Sequence, residues 1–343
     1  MPPNSALPQP AAALPGELAL LTTVVANLSD DTAKLVYADW LEEHDDPRGK
    51  LLRECVTAFR AGKKLPAISR APKPWRDLVG LKLMSRLRKA KLTARANTLL
   101  RLGRPALTFK SARAKEAALN VGASKLGGRP DMLPEVKWPI FQTEPLAFLG
   151  QFNFSDLAAS LVSRELPDSG VLSVFYLVDE DYERASDPKG SFRVFHFPDV
   201  SKLARRELQE ELRDAERFKP CRLTFTEILT LPDADSPWKK DLGFRNDDEA
   251  EGAYQELVVG EVGEGDDADD GGLAHRLLGY PCPLQSDPLR KKTMQHLLTI
   301  DSDDKRGGPG WMWGDSGLLY FTIAEEDYQK RQFDKVRCEM QCC

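Results

Sequence analysis

The chain predicts an α+β protein, in which a small N-terminal α-helical domain precedes a mainly antiparallel β-sheet domain with flanking helices. Three observations predict it. Up to about residue 60, apolar residues recur at helical spacing. From Arg104 onward the texture changes to short apolar or alternating runs bounded by Gly, Pro, Asn and Asp. Those runs do not alternate strictly with helices, as a parallel sheet would require.

Residues 1–13 form a proline- and alanine-rich lead without a charged side chain, expected to be disordered. Helical spacing begins in the next segment, residues 14–62. A first helix covers 17–28. A second runs from Asp31, expected as its N-cap, to His44, with Ala33, Val36, Tyr37, Trp40 and Leu41 on its inward face. Asp46-Pro47 starts a third, with Pro47 in the first turn and Leu51, Leu52, Cys55, Val56 and Phe59 inward. Residues 63–103 read as a basic helical connector, with Trp75, Leu78, Leu81, Leu83, Met84 and Leu87 between cations. Residues 104–343 form the larger domain. Its candidate strands are 106–110, 146–154, 170–178, 191–197, 221–229, 295–301, 317–323 and 333–341. One charged helix is expected at 200–218 and shorter ones at 156–162 and 325–331. The run 263–272, almost all Gly, Glu and Asp, reads as a loop.

Net charge is −5 over 343 residues, but the charge is polarised along the chain. Arg60–Lys115 holds seventeen cations against Asp77 alone, and Asp233–Asp270 holds fourteen acids against three cations. The basic stretch could bind phosphates. Yet it has no stacking aromatic beyond Trp75 and no helix-turn-helix, RRM or zinc-finger signature, so solvated cations or docking on the acidic segment is the simpler reading. Six scattered cysteines without a CxxC pair read as reduced thiols of a cytoplasmic protein. No apolar stretch suits a signal peptide or a membrane span.

The chemistry-bearing residues concentrate late in the chain. His275 is followed by Asp301, Asp303 and Asp304, then by Trp311, Trp313, Asp315 and Tyr320. Hard cations want several oxygens from a compact loop. Asp301-Ser302-Asp303 starts like such a loop but lacks the closing Glu, so carboxylates that cap turns are the simpler account. Gly127-Gly128, flanked by Lys125 and Arg129, could cradle an anion. The lysine nevertheless precedes the glycines and prolines follow, unlike a Walker loop. In 146–154, Phe148, Phe152 and Phe154 are expected on one face, with Gln151 and Asn153 on the other to hold the sheet or a ligand. There is no Gly-x-Ser-x-Gly elbow, no His-Glu-x-x-His and no Cys beside a likely base.

Two resemblances add to this reading. Leu35-Val36-Tyr37-Ala38-Asp39-Trp40-Leu41-Glu42-Glu43-His44, Asp46-Pro47 and Arg53 resemble a planctomycete repeat-companion domain over about residues 15–60. It implies a helical add-on of unknown role. Over about residues 104–343 the chain resembles the YwqG-like family of bacterial domains of unknown function. The matching blocks are Gly122–Pro130, Lys137-Trp138-Pro139, Pro145–Asn153, Leu166–Leu172, His275–Pro281, Gln285, Ile300–Asp303, Trp313–Phe321 and Phe333–Val336. The resemblance implies a cytoplasmic α+β domain without an assigned reaction, of a kind placed among candidate immunity proteins against bacterial toxins.

The expected function is therefore binding to an unidentified protein partner, with no membrane and no cofactor. The alternative is a hydrolase or a small-ligand or metal-binding enzyme built on His275, Asp301, Asp303 and Asp315. The candidate ligand-binding set is Lys125, Gln151, Asn153, His275, Gln285, Asp301, Asp303, Trp313, Asp315 and Tyr320. No catalytic residue or metal ligand is assigned.

Overall fold

Helix α1 (Glu17–Ala26), α2 (Asp31–Glu43) and α3 (Pro47–Arg60) open the described chain. The structure is a computed structural model that describes residues 14–158, 160–178, 190–263 and 274–342. The lead at 1–13, residues 264–272 of the acidic run and Cys343 lie outside the described residues. Asp30, not Asp31, caps α2, its carboxylate accepting from the Thr32 and Ala33 amides. Asp46 caps α3 with Pro47 in the first turn, as expected.

The inward stripe of α2 is Lys34, Tyr37, Ala38 and Leu41, spaced i, i+3, i+4, i+7. The sequence pattern placed Val36 inside, but it is 52% exposed, and Trp40 is only half-buried, its ring against His44. Lysine held the inner position because its ammonium has a dedicated acceptor there, the Leu28 carbonyl. A second polar clasp ties the helices together. Arg48 donates to both oxygens of buried Glu17 at 2.8 and 3.1 Å and to Asp46. Tyr37 donates to Glu17 and accepts from Trp75 Nε1 at 2.9 Å. A buried ion pair with its remaining groups hydrogen-bonded fixes geometry more than it adds stability.

The basic segment continues as α4 (Lys73–Leu78), α5 (Leu81–Lys89) and α6 (Ala96–Leu102). Three of its arginines are used internally. Arg88 donates to the Ala58 and Phe59 carbonyls at the end of α3, where a cation also offsets the helix dipole. Arg86 donates to the Leu257 carbonyl, and Arg95 pairs with Asp247 at 2.7 Å while donating to the Gly243 carbonyl. The basic segment thus docks on the acidic one. Its partners lie on α8 (Asp248–Gly263) and on the turn that joins it to α7 (Lys239–Leu242). Helix α8 was not expected from sequence. Its inward residues Tyr254, Leu257 and Val258 are outnumbered by acids, which mask the apolar stripe. Contacts group the described residues of 14–107 and 226–263 as one compact unit, and those of 108–225 and 274–342 as another.

The β-structure is built on β1 (Arg104–Arg113), β2 (Lys125–Leu126), β3 (Asp131–Met132), β4 (Ile140–Phe141), β5 (Glu144–Pro145), β6 (Ala147–Asn153), β7 (Val171–Tyr176) and β8 (Phe192–Phe197). It continues with β9 (Ala204–Arg205), β10 (Cys221–Thr230), β11 (Arg276–Leu277), β12 (Met294–Asp301), β13 (Leu318–Ala324), helix α9 (Glu325–Gln329) and β14 (Arg337–Gln341). Ten of these strands form one sheet in the order β14-β13-β12-β11-β1-β10-β2-β6-β7-β8, so the fold is α+β with a large antiparallel sheet. The sheet curls until Phe192 of β8 meets Phe321 of β13, with ring centroids 6.1 Å apart.

Three expected elements differ. Residues 200–218 are not one helix but short 3-10 turns at Val200–Lys202 and Asp214–Glu216 around β9. The charges that suggested a helix surface are instead bound to carbonyls: Arg217 donates to those of Gln209, Glu210 and Leu212. Residues 156–162 are likewise parts of two 3-10 turns, Phe154–Leu157 and Leu161–Glu165. The expected strand at 333–341 starts with a 3-10 turn, Phe333–Lys335, before β14.

Burial pulls the Lys34 ammonium down to about 8 from its ordinary 10.5, against the pull of Asp31 and Asp30. The unfolded chain therefore holds this proton between about pH 8 and 10.5 where the folded chain does not, so this site adds stability as pH rises through that window. Chemical denaturation at pH 7.5 and 9.5 should show that gain in the wild type relative to Lys34→Met. An equal pH response in both proteins would contradict the assignment.

Candidate functional site

The expected binding residues fall into separate places. The first is a polar core between β2, β3, β6 and β9. Asp131 sits at its centre, fully buried, accepting from Arg205 Nε at 2.5 Å, Gln151 Nε2 at 2.7 Å and the Gly122 amide at 2.9 Å. Lys125 Nζ lies 3.7 Å from Asp131 and 3.2 Å from Glu116, donates to the Arg129 carbonyl and sits over the Phe148 ring. Burial holds its pKa below the ordinary lysine value although Asp131 and Glu116 oppose this. Arg205 also donates to Glu116 at 2.6 Å and to the Leu119 and Asn120 carbonyls. The Gln151 amide is matched at both ends, accepting from the Asp131 amide at 3.0 Å and donating to the Ala123 carbonyl at 2.9 Å. Asn153 donates to the Gly122 carbonyl at 2.8 Å and accepts from the Ser155 amide.

A bulge between Phe148 and Gly150 builds this arrangement. It places Phe148 opposite Phe175 and Gln151 opposite Ser173, on one face, while Phe152 faces Leu172 on the other. The alternation expected from sequence, with Phe148 and Phe152 together, is therefore overturned by one extra residue. Gly128 closes the core. A Cβ there would lie 2.3 Å from Glu116 Oε2, and the backbone is left-handed at φ 71°. Gly128 packs against a carboxylate and Gly127 against the Lys219 carbonyl, so the pair faces oxygens rather than cradling an anion.

The second place surrounds the loop after β12. His275 is fully buried and stacks on Phe109 at 5.1 Å. Its Nδ1 accepts from the Asp301 amide at 3.0 Å, so in the neutral ring Nε2 carries the proton. That nitrogen lies 3.7 Å from Asp303 Oδ2, beyond hydrogen-bond distance, and has no other partner among the described residues. Asp303 accepts from Ser111 Oγ at 2.5 Å. Burial raises its pKa, but His275 and Ser111 together bring it below the ordinary value. Asp301 is raised by burial, despite accepting from the Ala274 amide at 2.6 Å. Its carbonyl accepts from Trp311 Nε1. Trp313 packs against Trp311, Tyr176 and Phe218, with its indole N–H buried and unpaired among the described residues. Because Ser111 donates to Asp303 and not to His275, the three do not form a nucleophile–base relay.

The third place lies on the far side of β13 from β12, near the start of the strand, where Leu318 pairs with Gln341. Buried Tyr320 donates to the Cys282 carbonyl at 2.8 Å, its pKa raised by burial. Gln285 donates to the Cys342 carbonyl, and its own amide donates to Gln341 Oε1 at 2.9 Å. Asp315 contradicts its expected turn-capping role. It is exposed and makes no side-chain hydrogen bond among the described residues, because Ser302 Oγ and the Gly317 carbonyl close that turn instead. Asp301 and Asp303 thus make no hydrogen bond to Lys125, Gln151 or Asn153 among the described residues, whereas Tyr320 lies near enough to Asp301 for its charge to help raise the Tyr320 pKa. Among the described residues, no three His, Cys, Asp or Glu are placed to hold a metal ion, and the described cysteines are unpaired.

Sequence reasoning passed over Glu116, Asp131 and Arg205, the most connected members of the first place. Arg205 lay in an apparent helix, and Asp131 followed a proline in a turn-rich run. Ser111 and Gln341 carried no motif at all.

What the geometry defines is a curled antiparallel sheet in which Asp131, Lys125, Gln151 and Asn153 are matched by neighbouring groups. Residues 124–342 fit the family described as a domain of unknown function, DUF1963, and the chain belongs to that family. No curated protein matches it. No helix among the described residues is long and apolar enough to cross a membrane.

Truncating Gln151 to alanine leaves the Asp131 amide and the Ala123 carbonyl buried without partners, at about 1–3 kcal/mol each. Asp315→Ala should change stability by no more than about 0.5 kcal/mol. Chemical denaturation of both variants checks the pair, and reversed magnitudes would refute the division between matched and exposed groups.

Proposed function

We propose that the chain is a cytoplasmic binding protein without a catalytic centre, which recognises a protein partner through its surface. The observation that carries this reading is the state of the candidate groups. Lys125, Gln151, Asn153, Asp301, Asp303 and Tyr320 are all engaged by neighbouring side chains or backbone. Catalytic acids and bases converge on a concave site with free valences aimed into it.

Acidic surface supports a cationic partner. Asp247 and Glu251 are paired with Arg95 and Lys239, but Asp248, Glu249 and Glu256 are exposed on α8. Neutralising a basic or nucleic-acid-processing toxin would suit such a surface and the resemblance to the YwqG-like family. The helical segment 14–62 would then be the companion-type add-on, and the internally engaged arginines of 63–103 weigh against nucleic acid.

One observation favours the second reading, a ligand or hydrolytic site: His275 Nε2 is buried, protonated in the neutral ring and unmatched beside Asp303. Thermal shift separates the two. Divalent cations, nucleotides and sugars should leave the melting temperature unchanged, whereas a true ligand at about a hundred times its Kd adds about 2.7 kcal/mol. A shift that His275→Gln abolishes would overturn the binding-protein reading.

A further inference from the structure

The segment before β12 and the last three strands of the sheet border a groove of about 620 Å³. Its floor is one face of β12, β13 and β14. Met294 pairs with Ala324 and Thr322 with Arg337, and Glu339 follows Arg337 at the next position on the same face. The opposite face of β13 carries Phe321 and Ile323, both fully buried. Pro288, Arg290, Lys291 and Thr293 form the wall. That wall is tied down by its own backbone. Asp287 Oδ1 accepts from the Leu289 amide at 2.7 Å, and the Met294 amide donates to the Lys291 carbonyl at 3.0 Å. The Glu325 amide donates to the Thr293 carbonyl at 2.8 Å.

Three features of the lining point to one kind of occupant. The first is charge. Arg290, Lys291 and Arg337 stand against one acid, Glu339, and Arg290 holds both Glu339 oxygens at 2.9 Å. Lys291 and Arg337 are exposed and make no ion pair among the described residues, which leaves two cations for an anion. The second is Thr322. It lines the groove and is 5% exposed, yet its hydroxyl makes no hydrogen bond among the described residues. Buried polar groups are ordinarily matched. The third is the apolar surface of Met294, Ala324 and Pro288. A methionine adapts its shape to a flexible chain. No lining residue is aromatic, so a nucleotide base would find no stacking partner.

We propose that this groove binds a small aliphatic oxyanion, a carboxylate or phosphate head on an alkyl chain. The head accepts hydrogen bonds from Lys291, Arg337 and the Thr322 hydroxyl, and a guanidinium fork suits two oxygens of either head at once. The chain lies on Met294, Ala324 and Pro288. The groove falls within the range of small-molecule sites, about 300–1,000 Å³. The inference goes beyond recognition of a protein partner and does not involve His275.

The test is equilibrium dialysis of the full chain against radiolabelled octanoate and octyl phosphate. Saturable binding of at least one is expected, and the tighter of the two names the head group. Lys291→Gln/Arg337→Gln should weaken it about tenfold or more, and Thr322→Val about fivefold, because valine keeps the shape and removes the donor. Circular dichroism checks that both variants fold. The double variant changes only exposed side chains, so it carries the test even where Thr322→Val does not fold. Octylamine, with the chain but the opposite charge, and acetate, without the chain, should each bind at least about tenfold more weakly than the better probe. No saturable binding of either probe overturns the proposal. So does octylamine or acetate binding as tightly, or a folded double variant that binds as the wild type does.

Discussion

Asp131 and the cations around it set what the rest of the sheet domain can be. A carboxylate buried without partners would be too costly to fold around, and this one is matched by a guanidinium, a side-chain amide and a backbone amide, with an ammonium nearby. Those partners arrive from β2, β6, β9 and the 116–122 segment. Each must therefore be in register before the charge is satisfied. Two-residue strands such as β2, β3 and β9 have little pairing of their own, and the polar core supplies what length does not. The β6 bulge follows from the same demand, since it turns Gln151 toward Asp131.

The helical unit solves a similar problem by similar means. Glu17, Arg48, Tyr37 and Trp75 form one buried chain of hydrogen bonds linking α1, α2, the start of α3 and α4. Here and in the sheet, the residues with the most chemical potential are consumed by architecture. Their presence in a motif reports geometry first. Exposed charge is left to the surface, as in the acids of α8.

Much of the architecture was legible. Long strands with clear apolar runs, such as β7, β12 and β13, and caps such as Asp46-Pro47 stand out because local pattern and tertiary role agree. Elements were missed where charge obscured period. Helix α8 hides three inward apolar residues among acids, and 200–218 presented helix-like charge that the structure spends on carbonyls. The inner face of α2 was read one step away because a lysine occupies it, and apolar periodicity has no means of finding a buried ammonium. The site was legible in composition and illegible in connection. Gln151, Asn153, Asp301 and Asp303 are internal hydrogen-bonders as their setting implied. Their partners Glu116, Arg205 and Ser111 are distant in sequence and carry no motif. Asp315, identical in kind to its neighbours, is exposed because Ser302 took the turn it was expected to close.

The central claim is that the Asp131 core is structural and energetically coupled. A double-mutant cycle with Asp131→Asn and Arg205→Gln, read by chemical denaturation, tests it most directly. Contacting members of one buried network show interaction energies of roughly 0.5–3 kcal/mol, while independent sites add within about 0.5 kcal/mol. The account predicts coupling near the upper end, with each single variant strongly destabilised. Additive effects, or single variants as stable as the wild type, would contradict it and place Asp131 and Arg205 among groups held ready for a ligand.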